Sequence, residues 1–447
     1  MEDHEQRVQR LGRRIAEASA PPRFRPRSLD DRLMGWVVER PGLRTPLFRL
    51  VDVFPACADD DEVTRHVLEY LGAAPLPPGG RSALRLGGRL PGVTAAVTRS
   101  AVRRLARRFI GGEDPAEVVA LAGRLWGDGA AVTVDLLGEK TVTAAEADAY
   151  AARVGELLDA LVATAPRWPP NRRLAADRWG DVPRVNVSVK PTALCPRFDP
   201  LEADAAVADA ARRLVPLVRR AAEAGATVHL DVEHDEAREP TYALLRAVGE
   251  AVPGADLGCV VQCYRRDAEV TLDGLLQWSA ARLERPLQVR LVKGAYWDAE
   301  TVLATAHGWP SPVFASKDAT DGNFARCAER LIRYGGRVRP IVASHNLRSV
   351  AEALALAEEA GLAPTDVELQ LLHGMAPGLG PALVDLGYRT RYYVPMGELE
   401  AGMAYLVRRL LENTSNESFV RRRELDRAGV GELLRPPTPL PLSLIHI

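Results

Sequence analysis

The sequence predicts an α/β protein whose core is a (β/α)₈ barrel of the TIM type, preceded by an N-terminal helical arm or cap. From residue 131 onward, eight short apolar runs alternate with helical stretches, a pattern typical of a parallel sheet covered by helices. Eight such units in about 280 residues fit the usual size of a closed barrel. Before residue 131 the pattern is helical, with proline and glycine breaks.

The helical patterns upstream of the barrel predict five helices. They lie at residues 30–38, 46–54, 59–71, 102–109 and 115–126. We therefore divide the chain into a helical arm and cap segment at residues 1–130, a barrel at 131–420, and a linker or truncated tail at 421–447, where the chain becomes charged and then proline-rich.

The eight apolar runs are the predicted barrel strands. They lie at residues 131–137, 184–190, 227–233, 258–264, 288–293, 339–345, 367–372 and 390–395. A doubly wound open sheet is the alternative arrangement of such units. That fold usually has fewer strands and, when it binds a dinucleotide, a Gly-x-Gly-x-x-Gly turn after the first strand. No such turn follows any of these runs.

Polar residues stand at the ends of the predicted strands. In order they are Asp135, Lys190, Asp231 with Glu233, Gln262, Arg290 with Lys293, Ser344-His345-Asn346, Gln370 and Tyr393. In a (β/α)₈ barrel the catalytic groups come from the carboxyl ends of the strands and from the loops that follow them. One such residue alone could be a satisfied interior group, but their coincidence at one end predicts a functional site.

Lysine is rare in this chain, with only Lys140, Lys190, Lys293 and Lys317 among 58 cationic residues. Because arginine serves wherever any cation will do, a lysine marks a position that needs a compact ammonium on a flexible stem. Lys190 and Lys293 end predicted strands, and Lys317 lies in the loop after the fifth unit. The predicted site is therefore rich in the less common cation.

The last predicted helix, at residues 397–413, carries a second polar signal. Tyr405, Arg408, Arg409 and Glu412 fall at i, i+3, i+4 and i+7, which places them on one helical face. Paired arginines suit bidentate capture of a small carboxylate or phosphate. The alternative is a solvated, salt-bridged face, because Arg408 and Glu412 are spaced as an i, i+4 pair.

A metal site is an open alternative for one strand. His229, Asp231, Glu233 and His234 are four candidate ligands within six residues, and they would suit a metal-dependent barrel hydrolase. On a strand, however, the first three share one face and His234 does not. The chain also lacks a His-Glu-x-x-His helix motif, so no standard metal motif supports this reading.

Composition excludes several other classes of function. The 447 residues carry 58 basic and 59 acidic side chains, a balance that predicts no nucleic-acid binding. The charged N-terminus has no signal-peptide core, and no run is long enough to cross a membrane. Five cysteines without metal-site spacing indicate reduced thiols. We expect a cytoplasmic protein with at most peripheral contact on the inner face of the membrane.

Three segments carry a resemblance to a known family. They are residues 289–298 (VRLVKGAYWD), 371–375 (LLHGM) and 405–413 (YLVRRLLEN). Together with residues 30–34 and 48–54 of the arm, they resemble proline dehydrogenase, and most closely the proline dehydrogenase half of bifunctional proline utilization A. This resemblance implies a distorted barrel that binds FAD without a glycine fingerprint, with the last helix folded over the barrel mouth.

The resemblance also implies roles for particular residues. Asp231 and Arg290 would be catalytic, with Arg290 beside the flavin ring and Asp231 orienting the substrate. Substrate would be bound by Lys190, Tyr393, Tyr405, Arg408 and Arg409. FAD would be bound by Val232, Gln262, Arg290, Lys293, Gly294, Ala295, Ser344, His345, Asn346, Gln370 and Glu412. Ser344 stands where the family usually has threonine, and Cys195 departs from the usual aromatic residue or histidine.

The implied reaction is oxidation of L-proline to 1-pyrroline-5-carboxylate, the first step of proline catabolism to glutamate. Hydride would pass from proline C5 to flavin N5, and the electrons then to a quinone or another acceptor. Pyrroline-5-carboxylate dehydrogenase is the implied partner enzyme. It would be either a separate protein or the aldehyde dehydrogenase half that bifunctional members carry and this chain lacks.

Overall fold

Eight parallel strands close into one barrel in the computed structural model, which describes residues 2–20, 41–76, 79–138, 140–399, 402 and 429–437. The predicted barrel is confirmed, and each predicted run contains one strand or most of it. The strands are β1 Ala131–Leu136, β2 Asn186–Val189, β3 Thr227–Leu230, β4 Asp256–Gln262, β5 Leu287–Val292, β6 Val338–Ala343, β7 Glu368–Leu372 and β8 Arg389–Met396. Each pairs with the next, and β8 closes on β1 with Ala131 opposite Arg391.

The barrel strands are buried on both faces, as β1 illustrates. Its six residues are all buried. Val132 and Val134 join the apolar layer beneath the helices, whereas Thr133 and Asp135 alternate with them and point into the barrel. Inward positions are therefore available for polar side chains that converge on the axis of the barrel.

Helices cover the barrel and extend before it. They are α1 His4–Ala18, α2 Pro41–Val53, α3 Asp60–Gly72, α4 Gly80–Gly87, α5 Pro91–Ala106, α6 Pro115–Gly127, α7 Ala144–Thr164, α8 Ala203–Glu223, α9 Asp235–Ala251, α10 Ala268–Arg282, α11 Trp297–His307, α12 Lys317–Arg333, α13 Leu347–Glu359 and α14 Leu379–Asp385. Single helical turns occur at Arg172–Ala175 and Val430–Leu433. Among the described residues, none of these helices is both long and apolar enough to span a bilayer.

Four of the five helices predicted upstream correspond to α2, α3, α5 and α6. The predicted helix at residues 102–109 is wrong in extent, because α5 begins at Pro91, whose fixed φ suits a first helical position. The helix predicted at residues 30–38 lies outside the described residues. Helices α1 and α4 were not predicted, and the division of the chain at residue 130 stays a prediction.

Helices α2, α3 and α5 form a second apolar cluster above the barrel mouth. Leu50, Val63 and Val102 are buried in it together with Met375 and Leu399, which belong to loops at the mouth. Because those loops follow β7 and β8, the cluster lies at the carboxyl ends of the strands. Helix α1 differs, since its apolar face packs into the main barrel core.

A two-stranded ribbon covers the opposite end of the barrel. It pairs Ala176–Asp177 with Gly180–Asp181. Asp177 binds Arg339 of β6 and Arg389 of β8, both near the amino ends of their strands. The amino end is therefore closed by buried ion pairs, and the carboxyl end is where a ligand could enter.

Candidate active site

Asp231 is the centre of a hydrogen-bond cluster at the barrel mouth. The residue directly follows β3, and its Oδ1 accepts hydrogen bonds from Ser188 Oγ at 2.7 Å and from Arg290 Nη1 at 2.8 Å. Its Oδ2 accepts a hydrogen bond from Tyr393 Oη at 2.6 Å. The three donors come from β2, β5 and β8, so barrel closure itself assembles this cluster.

Arg290 has hydrogen-bonding capacity to spare in this cluster. Its guanidinium lies 5.0 Å from the centre of the Tyr393 ring, yet its Nε and Nη2 atoms are buried and have no hydrogen-bond partner among the described residues. Burial, with the nearby charges of Asp135 and Asp231, raises the pKa of Tyr393, which stays a neutral donor. Since buried polar groups are nearly always satisfied, the free guanidinium edge marks a place for a ligand.

Lys190 lies next to this cluster and is paired with Asp135. The Lys190 ammonium donates to Asp135 Oδ1, and its main-chain N–H donates to Tyr150 Oη at 3.2 Å. Burial alone would lower the pKa of Lys190, but Asp135, Tyr150 and Asp231 outweigh it and raise that pKa. Lys190 therefore remains a cation that is held in place at the mouth.

Gln262 and Glu233 connect the loops that follow β3 and β4. Gln262 Nε2 donates to the carbonyl oxygens of Val232 and Glu233 at 3.0 and 2.9 Å. The Val232 side chain is in the apolar core, so only its main chain faces the mouth. Gln262 Oε1 is buried and has no partner in the described part of the chain, so it joins the two Arg290 atoms as a third unsatisfied polar atom at the mouth.

Two lysines share one carboxylate beside the mouth. Asp321, in the second turn of α12, accepts hydrogen bonds from both Lys293 and Lys317. Burial lowers the pKa of Lys293 to about 8, with Lys317 adding to the shift and Asp321 opposing it. One carboxylate for two ammonium groups leaves a net positive charge, which suits an anionic ligand.

Gly294 follows Lys293 in a backbone conformation that favours glycine. Its φ is +131°, and a Cβ atom there would lie 2.4 Å from the Tyr264 ring. Any side chain would therefore meet both strain and collision. Gly294 and Ala295 form an exposed loop, which lets a ligand approach the backbone closely.

The other predicted cofactor residues have defined contacts. His345 Nε2 accepts a hydrogen bond from the Leu372 N–H at 3.1 Å, and Ser344 Oγ accepts one from the Asn346 N–H at 3.1 Å. Asn346 caps the N-terminus of α13. Gln370 is not at a strand end as expected; it is the third residue of β7, 3 % exposed, and donates to Thr133 Oγ1 at 3.4 Å.

Four predicted site residues cannot be placed. Tyr405, Arg408, Arg409 and Glu412 lie outside the described residues. Their roles stay predictions, as do the ligand roles assigned to the residues above.

The metal alternative receives no geometric support. Within the described residues, no three histidine, cysteine, aspartate or glutamate side chains converge as metal ligands. His229 lies fully buried inside the barrel against Gly258, and burial lowers its pKa well below the usual value. His234 is exposed, so the two histidines of the segment do not act together.

Three residues of the site were missed from the sequence. Ser188 binds the carboxylate of Asp231, and Tyr150 binds the main chain of Lys190. Asp321 binds the ammonium groups of Lys293 and Lys317. Asp321 had a readable signal, because it stands at i+4 from Lys317, a spacing that pairs side chains on a helix. The prediction that Lys317 lies in a loop is wrong, since it is the first residue of α12. Tyr150 had no such signal, since it reaches the mouth from α7 on the outer layer.

A closed (β/α)₈ barrel with charged and unsatisfied groups at the carboxyl ends of its strands defines the class of barrel enzymes. Comparison with models of known protein families identifies the family within this class. The model for proline dehydrogenase matches residues 118–422, more than half of the chain, and that for the proline utilization A N-terminal domain matches residues 5–109. The chain belongs to the proline dehydrogenase family.

Individual relatives agree with this assignment. The chain is 32% identical to the bifunctional protein PutA of Klebsiella aerogenes over 75% of its length and 26% of that protein. It is 27% identical to the proline dehydrogenase of Deinococcus radiodurans over 72% of its length and 91% of that protein. It thus spans about a quarter of the bifunctional relative.

Solved structures give the same picture. The crystal structure of proline utilization A from Bdellovibrio bacteriovorus, inactivated by N-propargylglycine, is similar over 98% of this chain and 45% of that chain. The TM-score is 0.88 and the sequence identity 34%.

Proposed function

We propose that this protein oxidises L-proline to 1-pyrroline-5-carboxylate with bound FAD. Family membership supports the reaction. The observation that carries the proposal is the arrangement of Asp231, Arg290 and Tyr393, with Lys190 beside them. It combines a fixed cation for a substrate carboxylate with a guanidinium whose free edge can meet a cofactor.

FAD fits the residues present at the mouth. Within the described ranges, Arg290 and Gln262 have buried atoms without partners. Lys293 and Lys317 exceed their shared carboxylate by one charge, and the Gly294 loop admits close approach. When bound, FAD supplies the two-electron acceptor to which hydride passes from proline C5. We assign Lys293 to its phosphates, and Arg290, Gln262, His345 and the Val232 backbone to its other contacts.

The chain's own residues would orient the substrate. Lys190 would bind the proline carboxylate together with Arg408 and Arg409 of the predicted final helix. Tyr393 and Tyr405 would pack against the proline ring. When the cofactor performs the redox step, the protein contributes to the rate mainly by orienting the substrate. Lys190 is already fixed by Asp135, so its cation is in place before substrate arrives.

The proposed partners follow from the reaction. A quinone or another acceptor would reoxidise the enzyme, and pyrroline-5-carboxylate dehydrogenase would consume the product. We also propose a cytoplasmic location with at most peripheral membrane contact.

The reaction is tested by the flavin spectrum. We expect purified protein to be yellow and anaerobic L-proline to bleach its flavin bands, because two electrons enter the cofactor at each oxidation. Absorbance between 300 and 550 nm, roughly the range of oxidised flavin bands, measures this directly. A colourless protein that FAD cannot reconstitute, with metal found by elemental analysis, would instead favour the hydrolase alternative.

The assignment of Lys293 to the FAD phosphates predicts a pH dependence. The pKa of Lys293 is about 8, so FAD affinity of the apoprotein should fall as pH rises from roughly 7 to 9, by up to about tenfold per unit. Fluorescence quenching of FAD during titration measures the affinity. Lys293→Met should flatten the dependence, whereas the exposed Lys140→Met should leave it unchanged.

The stability of the apoprotein should respond with the opposite sign. Because the pKa of Lys293 is lower in the folded state than the ordinary value of about 10.4, the unfolded chain binds more protons above pH ~8, and this group makes folding more favourable as pH rises. An affinity slope that persists in Lys293→Met would remove Lys293 from the phosphate site.

A further inference from the structure

Glu233 is a carboxylate of the mouth to which the proposed roles assign nothing. It lies two residues after Asp231 and is partly buried. The Thr192 hydroxyl donates to its Oε2, and Gln262 Nε2 donates to its main-chain carbonyl at 2.9 Å. Glu233 is therefore held between the loop after β2, which carries Lys190, and the end of β4.

The three carboxylates of the mouth differ in their partners. Asp135 is bound by the Lys190 ammonium and Asp231 by the Arg290 guanidinium. Among the described residues, Glu233 has no ion pair within salt-bridge distance, and its bond comes from a neutral hydroxyl. Among the described residues, Glu233 is therefore the one of these three carboxylates whose oxygens are not bound by a cation.

The surroundings of Glu233 also favour its protonated form. Lys190 faces it from the loop after β2, while Asp231 and His234 belong to its own segment. Burial raises the pKa of Glu233, and the Thr192 hydrogen bond and the Lys190 charge offset only part of that rise. A carboxylate whose pKa is raised toward neutrality is well matched to take a proton.

The proposed reaction requires such an acceptor. Free proline carries a secondary ammonium, and its nitrogen lone pair must be available to form the C5=N bond as the C5–H pair departs as hydride. We propose that Glu233 is the base that accepts the proton of the substrate ammonium, an inference that rests on the proposed function. One N–H bond breaks and one carboxyl O–H bond forms, and the proton later returns to solvent.

Two matched variants separate this role from a structural one. Glu233→Gln keeps an oxygen that can accept from Thr192 but cannot take a proton, so kcat/KM for proline should fall by about 10²- to 10⁴-fold. Thr192→Val removes the hydrogen bond but keeps the carboxylate. It should retain the plateau rate within a few fold and move the acidic limb of the pH profile to higher pH, because the lost bond favoured the ionised form.

A second measurement is independent of turnover. The ¹⁵N shift of [¹⁵N]proline bound to the anaerobically reduced enzyme reports whether the nitrogen is an ammonium or an amine. Above the acidic limb we expect an amine in the wild type and an ammonium in Glu233→Gln. Flavin content should be equal in both proteins.

The outcomes are distinguishable. If wild-type flavin is not reduced by proline, the proposed function fails. If the wild type turns over but Glu233→Gln keeps the same acidic limb and a bound amine, only the role of Glu233 is overturned. A severe loss in Thr192→Val with a mild effect of Glu233→Gln would show that the pair merely holds the loop.

Discussion

Asp231→Ala should lower the rate constant of anaerobic flavin reduction by proline by on the order of 10²- to 10³-fold. In the described part of the chain Asp231 is the one carboxylate that contacts Arg290, and it also accepts hydrogen bonds from Ser188 and Tyr393. Removing it leaves a guanidinium that is 4 % exposed without the carboxylate that fixes its position, and misplacing a positioning group by about 1 Å can cost on the order of 10²-fold in rate. A tenfold change in rate corresponds to about 1.4 kcal/mol, and stopped-flow absorbance measures the rate.

Tyr393→Phe is the matched control for this cluster. It removes a single hydrogen bond to the Asp231 carboxylate at 2.6 Å, and a hydrogen bond to a charged group is worth about 1.5–3 kcal/mol. The reduction rate should therefore fall by roughly ten- to a hundredfold, less than in Asp231→Ala, which removes this bond together with those from Arg290 and Ser188. Equal losses in the two variants would mean that the tyrosine hydroxyl, and not the buried ion pair, controls the site.

The barrel was predictable because its signal is local. Strands that are buried on both faces read as continuous apolar runs, and all eight were recognised. Their ends were less exact: the run at residues 227–233 contains a strand that ends at Leu230. In the sequence, Asp231, Val232 and Glu233 continue the alternation of the strand. In the structure they contact side chains at the mouth, and the register of β3 with β2 ends at Leu230.

The sequence predicted part of the set of residues that form the site, but it did not predict which of those residues bind each other. The rule that catalytic groups follow the carboxyl ends of strands selected Asp231, which directly follows β3. Tyr393 was expected at a strand end as well, but it lies inside β8. That Arg290 binds Asp231, which stands 59 residues earlier, depends on the register and closure of the barrel. No local pattern contains that information, and the same holds for Lys190 and Asp135.

Helix α1 shows a signal that could have been used. Val8, Leu11 and Ile15 stand at i, i+3 and i+7 and are fully buried, so the spacing alone predicts an amphipathic helix. Its partner was not predictable, because Glu5 binds Arg348 of α13, 343 residues away. A helix at one end of the chain thus completes the outer layer near the other.

Asp177→Ala should lower the free energy of unfolding by about 3–5 kcal/mol without changing proline affinity. Asp177 Oδ2 lies 2.8 Å from Arg339 Nε and 3.3 Å from Arg389 Nη1, and its side chain is 1% exposed. The substitution leaves two buried guanidinium groups with less compensation at the amino end of the barrel. Denaturant unfolding of the FAD-loaded protein, at fixed FAD concentration, measures the loss.

Asp273→Ala tests whether the loss of unfolding free energy in Asp177→Ala comes from the burial of the ion pair or only from its short distance. Asp273 Oδ2 also lies 2.8 Å from an arginine, Arg330, but these side chains are 43% and 46% exposed, and exposed pairs are worth about 0–1 kcal/mol. Equal losses at Asp177 and Asp273 would contradict the burial argument. Asp177 and Asp231 lie at opposite ends of the barrel and share no partner among the residues that the structure describes, so their effects on stability should add within about 0.5 kcal/mol in the double variant. A larger deviation would mean that the polar interior couples the two ends.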